Sequence, residues 1–228
     1  MMEKTTMQLY LKIFKMKKSL FLLLFFMGVA NAQVMPFGMI SSSAVTPGVP
    51  PAKIGDYRDG GVVFYVNPDD NTHGLVCSLT DINMNSLWYY DGYINTNAYG
   101  ENIGSGETNT TKIIYTMNTN YNSPPLESTN VDGYTVYAAG IARNYKGGGY
   151  TDWFLPSKDE LNQLFLNRVA VSNTLTTIQN AQSFPSVTVA RYWTSSNFDL
   201  RYAWMQDLSS QFVKLKSTSG YLRAIRAF

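Results

Sequence analysis

The chain has 228 residues, and 18 Lys and Arg against 16 Asp and Glu give a formal net charge of +2. Five of these lysines and one glutamate lie in residues 1–32, so the remaining chain carries −2 and gives no electrostatic reason to expect nucleic acid as a partner. One Cys excludes an intramolecular disulfide, so the domain must be stabilised by its apolar and aromatic core.

The first 32 residues have the pattern of a secretory signal peptide. Lys17 and Lys18 precede an apolar run over residues 20–29, which ends at Ala30-Asn31-Ala32. The run is about half of the roughly 20 residues that cross a bilayer. We therefore expect an exported protein, at the cell surface, extracellular or in the periplasm, with no membrane insertion after cleavage.

The rest of the chain divides into a linker and one domain. Residues 33–53 are rich in Pro and Ser without periodicity, which is typical of an extended linker. Residues 54–228 are enough for a single domain with a sizeable core, since about 70% of the unfolded surface is buried in a domain of this size.

The domain begins with the pattern of a β-hairpin. Two β-branched and aromatic runs, GGVVFYV and GLVCSLTD, flank the turn-forming segment NPDDNTH. Asp69, Asp70 and Asn71 are ordinary turn residues and lack the ligand spacing of a calcium loop. Cys77, although four residues after the only His, is predicted to be a small buried apolar residue.

Residues 83–106 are dense in Tyr, Asn and Gly, and we expect a long, ordered surface loop there. Rings on such a loop either stack on a ligand such as a sugar, with Asn and Asp donating and accepting hydrogen bonds, or fold back over the core. We favour core packing for Trp88 and leave Tyr99 open between the two. The candidate ligand-binding residues of this loop are Tyr89, Tyr90, Asp91 and Tyr93.

Three helices are predicted next. NTTKIIYTMNTN and YTVYAAGIARNYKGGG read as two of them, the second ended by its glycines. In DWFLPSKDELNQLF, Ser157 and Glu160 have the spacing of a capping box at the start of the third. Leu161, Leu164 and Val169 continue an apolar stripe, so the carboxylates of this segment have a structural explanation and are not predicted to be catalytic.

The C-terminal third reads as short strands, namely RYWTSSN, YAWMQDL, QFVKLKS and YLRAIRAF. The order of strands, helices and strands predicts an α+β domain in which the terminal strands form one antiparallel sheet with the helices packed to one side. We also expect Trp153, Trp193 and Trp204 to be buried. Arg223 or Arg226 should pair with Asp152 or Glu160, because a buried Arg needs a carboxylate.

This end of the chain is also locally cationic, with six Arg and Lys against two Asp in residues 191–228. Arg201, Lys214 and Lys216 are the candidate residues for binding an anionic polymer. No cofactor or metal site is predicted, because there is no His/Cys ligand set.

Six segments in this order, GDYRDGGVVFYV, HGLVCS, DWFLPSKDELNQLF, YWTSS, AWMQDL and LRAIRAF, resemble the bacterial Lcl C-terminal-domain family, long catalogued as a domain of unknown function. The resemblance implies an exported adhesion domain with a C-type-lectin-like fold. In the protein that names the family it implies binding of sulfated glycosaminoglycans through a basic surface, whereas this chain has neither a collagen-like stalk nor a strong positive charge.

We therefore expect an extracytoplasmic, non-enzymatic binding or adhesion domain whose partner is a glycan or surface polymer. One alternative is a structural or surface-assembly protein that acts through protein-protein contacts. The other is a carboxylate-based hydrolase, because an acid/base pair can come from distant positions.

Overall fold

The computed structural model describes residues 49–89, 95–121, 137–185 and 190–228. Its first sheet contains the predicted hairpin, in which β2 and β3 pair antiparallel, and the last strand of the chain pairs with β3. The N-terminal and C-terminal strands therefore share one sheet, as predicted. The sheet order is β1-β2-β3-β9, with β1 Tyr57–Arg58, β2 Gly61–Val66, β3 Gly74–Cys77 and β9 Ile225–Ala227.

A second sheet holds the other strands, so the predicted α+β class is confirmed, with two sheets where one was expected. Its pairs are antiparallel except for β5 and β8, which run parallel. The order is β4-β8-β5-β6-β7, with β4 Asn83–Leu87, β5 Tyr192–Asn197, β6 Tyr202–Gln206, β7 Gln211–Leu215 and β8 Ser219–Leu222.

In the described residues, four α-helices lie between the N-terminal and the C-terminal strands of the sequence. The third begins with the predicted capping box, in which Ser157 Oγ accepts from the Glu160 amide and the Glu160 carboxylate accepts from the Ser157 amide. It ends before Asn167, and Val169, on the next helix, is exposed and does not continue the apolar stripe. The helices are α1 Gly106–Tyr121, α2 Ala138–Asn144, α3 Lys158–Leu166 and α4 Arg168–Leu175.

Two hydrophobic cores of described residues lie on opposite faces of the first sheet. Val63 and Val76 belong to the core shared with α1, α2 and the second sheet, whereas Val62 and Cys77 belong to the core shared with α3 and α4. Alternate residues of a strand point to opposite faces, so a run without polar residues predicts burial on both sides. The helices therefore pack into two cores and not to one side as predicted.

The segment YLRAIRAF is two strands and not one. β8 belongs to the second sheet and β9 to the first, and Arg223 and Ala224 link them. Arg223 is buried and pairs with the equally buried Asp81, with Nε and Oδ1 2.8 Å apart. The attraction between the two buried charges offsets part of the free energy that their loss of hydration costs. The pair lies at the point where the chain passes from the second sheet to the first.

The predicted loop of residues 83–106 starts with a strand. β4 pairs with β8, and the buried Ser86 hydroxyl donates to the Gly220 carbonyl at 3.0 Å. The following Trp88 is 1% exposed, as expected, and its Nε1 donates to the Thr194 carbonyl. Residues 95–105 have no regular secondary structure, as predicted for a loop.

Candidate functional site

The structure brings together part of the tyrosine-rich loop and part of the cationic C-terminal region. The Trp88 and Tyr89 amides both donate to the Lys216 carbonyl, and the Lys216 amide donates to the Arg201 carbonyl. Tyr89, however, is only 2% exposed. Its ring was expected to be available to a ligand, and it is buried instead. Tyr90, Asp91 and Tyr93 lie outside the described residues.

Lys216 is buried, and the prediction that it belongs to an exposed cationic patch is therefore wrong. Its Nζ donates to the carbonyls of Asp199 and Leu200 at 2.8 and 3.2 Å and lies 4.7 Å from the centroid of the Trp88 ring. Burial lowers the pKa of Lys216 to about 8, because the ammonium loses hydration on folding. Its role in this arrangement is to fasten the turn after β5 to the end of β7.

Arg201 and Lys214 lie apart from this buried ammonium. Arg201 is exposed in the turn before β6, whereas Lys214 is half-buried on β7. Lys214 lines a groove of about 230 Å³ together with Arg191, Asp207, Phe212 and Val213. The three candidate cations therefore occupy three different environments and do not form one patch.

The charged segment at the start of α3 has structural partners. Asp152 forms an ion pair with Arg226, which confirms one predicted pairing. Glu160 has no arginine partner in the described residues, and its carboxylate instead accepts from the amides of Ser157 and Gly104 at 2.7 and 2.8 Å. Burial raises the pKa of Glu160, although these amides favour the charged form.

An aromatic surface that was not predicted lies on the second sheet. Ala203 and Met205 of β6 point into the core, so their neighbours Tyr202 and Trp204 point to the other face. On β7, Leu215 and Val213 lie directly opposite Tyr202 and Trp204. We call Phe198, Tyr202, Trp204, Val213 and Leu215 the aromatic ledge.

The ledge is open to solvent at one end and covered at the other. Phe198 and Leu215 are 49% and 46% exposed, and the Phe198 ring meets the Trp204 ring at 88° with centroids 5.5 Å apart. At the covered end, Gln211 Nε2 donates to the Lys158 carbonyl of α3 at 2.8 Å. Phe198 and Leu215 therefore give the open end an apolar surface that is accessible to a ligand.

A charged pair borders the ledge beside its tryptophan. Lys158 Nζ lies 4.0 Å from the centroid of the Trp204 ring and 2.6 Å from Glu101 Oε2. The ammonium is attracted to the negative face of the indole ring, which fixes the Trp204 orientation. The ledge thus combines apolar rings with hydrogen-bonding groups at the rim.

Trp204 was predicted to be buried and is only half-buried, whereas Trp153 and Trp193 are buried as expected. The alternation in the sequence YAWMQ predicts that Trp204 lies on the face opposite Ala203 and Met205. It does not predict which of the two faces points into the core.

Neither a metal centre nor a membrane span is found in the part of the chain that the structure describes. No cluster there contains three or more His, Cys, Asp or Glu side chains arranged to hold a metal ion. Among the same residues, no helix has the length and apolar character needed to span a bilayer.

Comparison with known proteins places the ledge inside a recognised domain. The family model described as the Lcl C-terminal domain matches residues 106–226, which run from the start of α1 into β9. The matched region includes every residue of the ledge together with Lys158. No curated protein matches the chain.

Proposed function

The chain belongs to the Lcl C-terminal domain family, and on this premise we propose that it is an exported, non-enzymatic binding or adhesion domain that recognises carbohydrate through the aromatic ledge. The single observation that carries the proposal is the exposure of Phe198 beside the oriented Trp204. Aromatic rings present an apolar face to the C–H groups of a sugar, and nearby polar groups bond to its hydroxyls. The C-type-lectin-like fold stays a prediction.

The positions of the carboxylates favour binding over hydrolysis. Glu160 is buried and occupied by backbone amides, and Asp152 is paired with Arg226. A general acid must reach the leaving group of its substrate. The Glu160 carboxylate is buried, and the Asp152 carboxylate, although 53% exposed, is held by Arg226. Export is proposed from the signal-peptide pattern of residues 1–32.

A glycan array with the purified protein tests the proposal. Phe198→Ala should weaken binding roughly three- to tenfold, which corresponds to about 0.5 to 1.5 kcal/mol for a lost aromatic contact. Tyr115→Ala is the matched control, because Tyr115 is a 70% exposed ring on α1, outside the ledge. Equal binding by both variants, or no glycan bound by the wild type, would contradict the proposal.

The salt dependence of binding separates two classes of glycan. A neutral sugar stacked on the ledge should bind with an affinity that hardly changes with added salt. An anionic polymer held by Arg201 or Lys214 should lose affinity steeply, because counterion release drives such binding. A steep loss would transfer the proposed site from the ledge to these cations.

A further inference from the structure

The strand β7 forms an edge of the second sheet and has backbone groups available for a further strand. The Lys216 amide donates to Arg201 and the Asp207 amide to Ser210, which fixes the hydrogen-bonded rows of the β6-β7 pair. By the alternation of an antiparallel ladder, the amides and carbonyls of Gln211 and Val213 point away from β6. Within the described residues these groups have no backbone partner.

A cationic groove lies beside this edge, on the face opposite the ledge. Phe212 and Lys214 alternate with Val213, so they point toward the groove. Arg191 Cζ lies 5.8 Å and Lys214 Nζ 5.9 Å from the centroid of the Phe212 ring. Neither cation lies within ion-pair distance of a carboxylate in the described part of the chain. With Asp207 also in the lining, the groove has one net positive charge around an apolar centre.

Asp207 contributes the one carboxylate of the groove lining, and it is already engaged. Its Oδ1 accepts from the amides of Ser209 and Ser210 at 2.8 and 3.0 Å and from the Ser209 hydroxyl. The carboxylate therefore closes the turn between β6 and β7. Arg191 also attracts this carboxylate electrostatically, so the lining keeps one net positive charge for an incoming acidic group.

We propose that the β7 edge binds an extended acidic peptide segment as an additional strand. The backbone of the peptide would bond to Gln211 and Val213, as in strand addition to a sheet edge. Its alternate side chains would face the groove, with an apolar residue opposite Phe212 and acidic residues facing Lys214 and Arg191. The preferred pattern is thus acidic, any, apolar, any, acidic.

This interaction goes beyond carbohydrate recognition, because it uses the opposite face of the same strand and a different class of partner. An exposed edge without a partner risks unwanted pairing between copies, and charged side chains are a usual protection. Here the two cations would repel a second copy of the same edge and attract an acidic segment. The charges thus select the partner as well as prevent self-association.

Fluorescence polarisation with labelled synthetic peptides and the full-length protein tests the proposal. The probe TETVTET has the proposed pattern, TKTVTKT inverts its charges, and TEPVPET retains the charges but removes two backbone donors. We expect TETVTET to bind at least roughly tenfold more tightly than either control peptide. Equal binding of TEPVPET would mean charge attraction without strand addition and would overturn the proposal.

Protein variants test the same contact from the other side. Arg191→Glu with Lys214→Glu should reverse the preference in favour of TKTVTKT, whereas the matched pair Lys53→Glu with Lys112→Glu, on exposed residues elsewhere, should behave as the wild type. Val213→Pro removes an amide that points away from β6 and should abolish peptide binding while the circular dichroism spectrum is retained.

Two outcomes would contradict the proposal even if one of the other variants fails to fold. The first is binding of TETVTET that is unchanged in the Arg191→Glu and Lys214→Glu protein. The second is a wild-type protein that binds no peptide but binds dextran sulfate at this groove, as shown by protection of Arg191 and Lys214 in the bound protein. Loss of glycan binding in the Phe198→Ala variant with intact peptide binding would keep the two functions distinct.

Discussion

Glu160 stabilises the N-termini of two helices with one carboxylate. Its Oε2 closes the capping box of α3 through the Ser157 amide, and its Oε1 accepts from Gly104, just before α1 begins at Gly106. The N-terminus of a helix carries partial positive charge, so both helices favour an anion at this point. A Cβ on Gly106 would lie 2.2 Å from Glu160 Oε2, which explains why a glycine opens α1.

Glu160→Ala should lower the free energy of unfolding by about 3 kcal/mol, because buried amides lose their acceptor. The measurement is urea unfolding near neutral pH. Asp159→Ala, in the same helical turn, is the control and should cost under about 1 kcal/mol, since only a dipole interaction is lost. Equal losses for both variants would contradict the two-helix role.

The pH dependence of the Glu160→Gln variant follows from the raised pKa of Glu160. A raised folded-state pKa means that the contribution of the group is fully present below its unfolded value of 4.5 and is lost as the pH rises through the folded value. The free energy of unfolding of the wild type, relative to that of Glu160→Gln, should therefore be higher at pH 4 than at pH 8. The measurement is urea unfolding of both proteins at pH 4 and at pH 8.

Among the elements, the link between β8 and β9 depends on the buried pair of Arg223 and Asp81. Arg223 Nη2 also donates to the Gln182 carbonyl, and its Cζ lies 4.1 Å from the Phe184 ring centroid. The Tyr192 hydroxyl donates to the second oxygen of Asp81. One side chain thus joins the β8-β9 link, the segment after α4 and the turn after β3.

Asp81→Asn should destabilise the protein by about 3 to 5 kcal/mol, because it leaves the Arg223 charge buried without a counter-charge. Asp81→Leu combined with Arg223→Met should cost clearly less than either single change, since neither charge then needs hydration. A double-mutant cycle of urea unfolding measures both. Additive losses in the double variant would show that the two side chains contribute independently.

Elements with local signals were predictable, and elements set by distant partners were not. The hairpin, α1 and the capping box of Ser157 depend on neighbouring residues, and the structure confirms them. β4, with the sequence NMNSL, has no strand pattern and forms because β8 offers a partner. The change of sheet at Arg223 depends on Asp81, 142 residues away, and no periodicity reports such a contact.

The candidate site divides in the same way. The sequence identified the cationic region and the aromatic content, and Lys214 does line a groove. It did not distinguish the buried Lys216, because exposure is set by the carbonyls of the turn that receives its ammonium. The ledge also depends on which face of β6 points inward, a choice that is made by packing and not by alternation.

For the whole molecule, the first sheet lies between the two cores and joins them. Cys77 lies within it, between Val62 of β2 and Ile225 of β9, and is fully buried. Burial raises the pKa of the Cys77 thiol to about 11, because a thiolate would lose hydration there. Exposure of the thiol therefore requires this sheet to open or the helices packed on it to separate from it.

Labelling of Cys77 with iodoacetamide should therefore report on global unfolding. In buffer the native protein should stay unlabelled, and labelling should increase with urea in parallel with the loss of circular dichroism. The control is a Cys77→Ala protein that carries Ser209→Cys, an exposed turn position, which should be labelled at once without denaturant. Rapid native labelling of Cys77 would mean that the sheet opens locally.

The position of β9 also constrains the order in which the domain forms during synthesis. β3 is made early, but one of its two neighbours is made about 150 residues later, and the paired Ile225 and Cys77 must meet across that distance. Closing so long a loop is slow, so the β3 edge that later pairs with β9 stays unpaired while the chain is being elongated. The unfinished sheet keeps the chain from completing its fold while it is being made, a delay that fits the export proposed above.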